Sequence, residues 1–161
     1  MTDEKFTFFW SGPFSQWHPS PFEIDGIWYN CAEQYMMAEK AKLFGDSRMH
    51  DLIMSATDPW DQKRFGRLVD GFDGAVWEEH AKKIVYRGSE AKYGQNPELR
   101  KKLLATAGTT LVEASPEDCI WGIGLGKDDP GAQNRETWLG TNWLGEVLTE
   151  LRQNMTKRDR E

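Results

Sequence analysis

Apolar positions along this chain recur with the period of a helix far more often than with that of a strand. Residues 6–10, Phe-Thr-Phe-Phe-Trp, are the first β-prone run and predict a strand. The segment 11–21 is dense in proline and aromatic residues and predicts a loop. Across 22–29, Asp25-Gly26 lies between apolar flanks, which signals a hairpin. Helical spacing then takes over. Asn30 reads as the N-cap of a helix to about Phe44, stopped by Gly45. A second helix is predicted over 47–55. A third starts at Asp58-Pro59, where aspartate caps and proline occupies the first turn. Residues 77–92 carry Trp77, Ala81, Ile84, Val85 and Ala91 at helical spacing, and Asn96-Pro97-Glu98 opens a further helix to about Thr106.

A second β-prone run, Thr110-Leu111-Val112, meets Ser115-Pro116-Glu117-Asp118, which has the form of a helix start. Trp121 follows, then glycine at 122, 124 and 126. After a polar loop over 127–137, Asn142 reads as the cap of a last helix over 143–154, with Leu144, Val147, Leu148 and Leu151 on one face. Residues 155–161 predict a charged, disordered tail. No repeat or linker interrupts the chain. The expectation is one domain over 1–154, α+β in class, mainly helical with a small β-sheet.

With 161 residues, the chain is long enough to bury one real core. A hydrophobic content of 39% with eight Trp argues against disorder. The net charge of −6 excludes a strong general affinity for duplex nucleic acid, although it says little about a single cleft. Cys31 and Cys119 have no metal-ligand spacing and suit free thiols in a reducing compartment. His18, His50 and His80 are scattered, so neither a metal site nor a cofactor is expected. No apolar run approaches the ~20 residues of a membrane span, and the N-terminus lacks the basic and apolar regions of a signal peptide. A cytoplasmic protein without membrane contact is expected.

Two carboxylates invite a chemical reading. Glu33 falls in the first turn of the Asn30 helix, where Asn30-x-x-Glu33 also fits a capping box. Lys40, two turns on, shares a face with Glu33 and a methionine, as in a cleft wall; on its own it also suits a solvated surface. Ser115-x-x-Asp118 repeats the cap-like pattern. A helix N-terminus lowers a carboxyl pKa, so both acids are expected ionised and suited to act as base, orienter or cation stabiliser. Trp60 and Trp143 read as core residues, whereas Trp77 and Trp121 suit either the core or a plate stacking on a flat base. Lys63-Arg64-x-x-Arg67 suits a phosphate or simply a solvated helix face. The three glycines make no dinucleotide fingerprint, since Lys127 follows Gly126; they fit either ligand-facing backbone or a tight turn.

Four segments resemble one family, the YbiA-like or NADAR superfamily: FFWSGPFSQWHPSPFEIDGIWYNCAEQYMMAEKAKLFGD (9–46), KRFGRLVDGFDGAVWEEHAKKIV (63–85), KYGQNPELRKKLLATAGTTLVEASPEDCIWGIGLG (92–126) and WLGTNWLGEVLTELR (138–152). They cover most of the chain in family order. The resemblance implies a YbiA-like fold and hydrolysis of an N-glycosidic bond, with removal of ADP-ribose from guanine in nucleic acid as the leading expectation. N-glycosidase action on ribosylamino-pyrimidine phosphates of riboflavin synthesis is the alternative, and a non-catalytic ADP-ribose-binding module stands outside both. The implied partner is an ADP-ribosylated base or nucleotide-like molecule, with transient contact to modified nucleic acid. Glu33, Lys40 and Asp118 match the family's catalytic positions. Ser15, Arg67, Trp77, Trp121, Gly122 and Asn142 are the implied substrate-binding residues. The chain departs from the family's SNF at Ser15-Gln16-Trp17, where a longer amide and a larger ring reshape the base pocket.

Overall fold

Helical periodicity dominates the fold as it does the sequence. The computed structural model describes residues 3–161. In chain order the elements are β1 (Phe6–Phe9), β2 (Phe22–Ile24), β3 (Ile27–Tyr29), α1 (Ala32–Leu43), α2 (Ser47–Ser55), α3 (Pro59–Arg67), α4 (Gly74–Gln95), α5 (Pro97–Leu104), β4 (Thr110–Glu113), two 3-10 turns (Pro130–Gln133 and Arg135–Thr137) and α6 (Trp143–Asp159). The expected small sheet is two separate ribbons: β1 beside β4, and β2 beside β3. Contacts group the chain into two compact units, one of residues 16–97 and the other of the chain up to Ser15 and from Glu98 onward. Among the described residues no helix is long and apolar enough to cross a membrane.

In the unit of residues 16–97, β2 and β3 form an antiparallel hairpin with Phe22 opposite Tyr29. Its turn places both Asp25 (φ 53°) and Gly26 (φ 81°) in the left-handed region, as a tight two-residue hairpin demands. Helix α1 is the centre of this unit, with α2, α3 and α4 all packed on it. Every residue from Cys31 to Ala38 is buried, so the helix has no solvent-facing stripe over this length. Close approach of α3 depends on Gly66, where an added Cβ would collide with Met37 Sδ.

A buried helix must satisfy its polar side chains internally. Gln34 does so by donating from Nε2 to the carbonyls of Ile53 (3.1 Å) and Ala56 (3.2 Å) at the end of α2. Its Oε1 accepts the Asn30 N–H at 2.8 Å. Gln62, on α3, donates to Ala56 O (2.9 Å) and to Asn30 Oδ1 (3.0 Å), and accepts from Cys31 Sγ at 3.2 Å. This network corrects the expected cap. The N-cap is Cys31, without a side-chain bond, and Asn30 instead donates to Thr57 O. The reach back to the Asn30 amide comes from Gln34 rather than Glu33, because the helix starts later than the pattern suggests.

Lys92 lies on the buried face of α4 at 1% exposure. Desolvation pushes its pKa down to about 7, against a smaller opposing influence from Cys31.

In the other unit, β1 and β4 run parallel, from Phe6 opposite Thr110 to Phe9 opposite Glu113. Val112, Ile123 and Ala132 form a core with Phe6, Phe8, Leu125 and Trp138 against it. From α6, the buried Arg152 donates to Thr106 O (2.9 Å) and Thr109 O (2.6 Å), satisfying the carbonyls after α5. The expected disordered tail is helix instead. Met155 is buried at 4% exposure and Arg100 bonds Asp159 at 2.8 Å, which carries α6 through to Asp159.

Gln34→Leu, which leaves the Asn30 amide unsatisfied and removes the side-chain links to the end of α2, should lower the urea-unfolding stability by about 1–3 kcal/mol. For Lys92 the unfolded chain keeps its proton up to about 10.5 and the folded chain only up to about 7. Between these values the unfolded state binds more protons, so Lys92 makes stability rise with pH. Lys92→Met should remove that component: unfolding at pH 7 should find the variant the more stable, with the difference shrinking towards pH 10.

Candidate active site

Seven residues separate Glu33 from Lys40, so two turns of α1 place them on one face. Glu33 is 4% exposed in the first turn, where its own N–H donates to Gln16 O at 3.0 Å. Lys40, in the last turn, is half-buried. Its Nζ stands 4.6 Å from the centre of the Phe72 ring and 5.7 Å from that of Trp77. Burial lowers the Lys40 pKa; the negative charge of Glu33 opposes this, and the positive charge of Arg67 adds to it. Glu33, Lys40, Arg67 and Trp77 therefore come together as one cluster.

Local sequence explains each placement. Asp73 caps α4 by accepting from the amides of Ala75 (2.9 Å) and Val76 (3.3 Å), which sets Trp77 in the opening turns of that helix. Arg67 is carried to Lys40 by α3, whose approach to α1 Gly66 allows. Phe72 is the residue that sequence reasoning missed. It stands 49% exposed and edge-on to Phe44 at 5.3 Å, and its one local signal was a lone aromatic in the turn Gly71-Phe72-Asp73.

The stretch 114–126 belongs to the other unit and forms no helix. The expected helix at Ser115 is an irregular loop of side-chain-supported turns. Ser115 Oγ accepts from Glu117 N–H at 3.3 Å, and Asp118 Oδ1 accepts from the amides of Ile120 (2.9 Å) and Trp121 (2.8 Å). Asp118 is thus not at a helix N-terminus.

This loop is fixed to the start of α6 by main-chain bonds. The amides of Asn142, Trp143 and Leu144 donate to the carbonyls of Gly122 (3.0 Å), Ile120 (3.0 Å) and Trp121 (3.1 Å). The loop therefore satisfies amides that the helix itself cannot. Asn142, at φ 53°, precedes the helix without a side-chain cap. It is fully buried, accepts from Glu113 N–H at 3.0 Å and donates to Leu111 O at 3.0 Å, which makes it a brace between α6 and β4 rather than a ligand contact. Gly122 is likewise filled by protein: an added Cβ would stand 2.9 Å from the carbonyl oxygens of Asp118 and Glu113. Of the three glycines, Gly124 serves the tight turn at φ 73°. Trp121 is half-buried, with Trp143 edge-on at 5.5 Å.

Trp60 is 53% exposed, not core, because its place in the first turn of α3 turns the ring outward against Trp17 at 6.3 Å. Lys63 lies over Trp17 at 5.8 Å and Arg64 beside Asp61 at 3.4 Å, so of the basic triplet Arg67 alone reaches the Lys40 cluster. Ser15 is half-buried in a turn, its N–H donating to Gly12 O at 2.9 Å.

The chemistry available is a buried carboxylate and an amine whose pKa is lowered by burial, on one helix face, the amine bordered by aromatic rings and within the field of a guanidinium. Comparison with known proteins identifies the family. The NADAR domain model matches residues 8–156. The chain is 43% identical over 145 residues to N-glycosidase R617 of Acanthamoeba polyphaga mimivirus, covering 87% of this chain and 85% of that protein. It is 32% identical to N-glycosidase YbiA of Escherichia coli strain K12, covering 89% and 81%. The NMR structure of E. coli YbiA superposes with a TM-score of 0.81 at 29% identity, over 100% of this chain and 90% of that one.

The Lys40 environment makes a signed prediction. Heteronuclear NMR titration of the lysine Nζ should find Lys40 below an ordinary lysine. Glu33→Gln should lower its pKa further, and Arg67→Gln should raise it, since the first removes a charge that opposes the lowering and the second a charge that adds to it.

Proposed function

The chain belongs to the NADAR family of YbiA-like N-glycosidases, and from that premise we propose that it hydrolyses the N-glycosidic bond joining ADP-ribose to guanine in nucleic acid. One observation carries the reading: Glu33 and Lys40 share a face of α1, with Lys40 made easier to deprotonate by its burial.

Breaking the bond builds positive charge on C1 and the ring oxygen of the ribose as the base leaves with the bonding pair. The Glu33 carboxylate suits stabilisation of that charge, or removal of a proton from the water that attacks C1. Trp77 suits stacking on the departing base, and Arg67 suits a substrate phosphate. Asp118, which the family resemblance counts as catalytic, has its carboxylate oriented by the two amides that hold its Oδ1.

Lys40 offers a covalent course. Its neutral amine adds to C1 while the base departs with the C1–N pair and takes up a proton. One Nζ proton then passes to the ring oxygen as the ring opens, leaving a protonated imine between Nζ and C1. Water hydrolyses the imine, releasing the free sugar and restoring the amine. Burial and the positive charge of Arg67 favour the neutral amine that the first step needs.

Glu33→Gln should reduce turnover by about 10²-fold or more, with folding little changed by circular dichroism. Borohydride added during turnover should trap a mass adduct on Lys40; an active enzyme that gives no adduct would reduce Lys40 to a bound cation. Substrate choice is tested by parallel incubation with ADP-ribosylated guanine DNA and a ribosylamino-pyrimidine phosphate. Release of ADP-ribose from the first alone is the expected result, and cleavage of the second alone would overturn the guanine reading.

A further inference from the structure

The unit that holds Asp118 also contains a cavity of about 630 Å³, within the size range of small-molecule sites. Its walls come from the end of β1 with the residues just after it, the stretch after β4, and the turn 126–129. None of its lining residues is among the catalytic and substrate-binding positions that the family resemblance implies.

The β1 strand builds one wall by ordinary alternation of faces. Phe9 turns inward at 7% exposure, with the Phe14 ring edge-on at 5.8 Å, and Ala114 N–H donates to its carbonyl at 2.8 Å. Trp10 turns outward into the cavity and is left 57% exposed. A large flat ring uncovered at the mouth of a cavity is a stacking surface for another flat ring. Pro116 adds an apolar, rigid wall.

The rim decides what accompanies that ring. Lys127, Asp128 and Asp129 lie along it. Asp129 Oδ1 accepts the Gly131 N–H at 2.8 Å and so holds the first 3-10 turn, while Lys127 and Asp128 are exposed. Two carboxylates against one ammonium disfavour a phosphate. They favour a hydroxyl-bearing group, since an ionised carboxylate only accepts hydrogen bonds and pairs well with the vicinal hydroxyls of a ribose.

The geometry points to a nucleoside site: the base stacks on Trp10 and the ribose hydroxyls donate to Asp128, with the phosphate end outside the cavity. This assignment rests on the cavity's own lining, so absence of glycosidase turnover leaves it standing and absence of nucleoside binding overturns it alone. Adenosine is the probe, titrated by calorimetry into the full chain. Saturable one-to-one binding is expected, with affinity reduced roughly tenfold or more in Trp10→Ala and largely kept in Trp10→Phe. Trp10 is exposed, so neither variant is expected to unfold. Asp128→Asn should weaken adenosine while leaving 2′,3′-dideoxyadenosine unchanged. No saturable binding, or a Trp10→Ala variant that binds as well as the parent, overturns the site. Equal effects of Asp128→Asn on both ligands overturn the ribose assignment.

Discussion

The interior polarity of α1 is the constraint on which the unit of residues 16–97 depends. A helix buried from Cys31 to Ala38 ordinarily carries apolar residues alone, yet this one has Glu33 and Gln34 side by side. Gln34 is tolerated because its side-chain amide is itself fully engaged, donating to the carbonyls at the end of α2 and accepting the Asn30 N–H before α1. Gln62 closes the same network from α3. With Gln34 making the reach back to the Asn30 amide, Glu33 does not serve as the cap.

The same arrangement sets the character of Lys40. An ammonium in water resists losing its proton, and partial burial weakens that resistance. Glu33 pulls in the opposite direction, so the lysine rests between two opposed influences rather than at either extreme. Aromatic rings beside Nζ favour the cation, but they also keep the group accessible while excluding much of its hydration. Lys92 shows the other limit: fully buried on α4, its proton is lost near neutrality, and it has no access to solvent.

Much of the fold was legible because its signals are local. Asp25-Gly26, Asp58-Pro59 and the apolar face of α6 each act within a few residues, and the structure contains the element each predicts. The failures share a cause. Ser115-Pro116-Glu117-Asp118 has the chemistry of a helix start, but the same side chains support turns equally well, and the carbonyls that follow are drawn to the amides of α6. Asn30 has the chemistry of a cap, but tertiary partners at Thr57 and Gln62 take its side chain. The tail read as disordered from its charge, whereas Arg100 and the burial of Met155 extend the helix.

By itself, the sequence determined the mainly helical class and the pairing of Glu33 with Lys40 on one helix face, which follow from spacing along the chain, and the family, which follows from the resemblance of whole segments. Tertiary structure alone decided that Gln34 does the capping, that Arg67 and Phe72 join Lys40, and that Asn142 braces a strand. Those outcomes turn on which helix approaches which. A single missing side chain at Gly66 fixes such an approach, and sequence spacing carries no measure of the distance between helices.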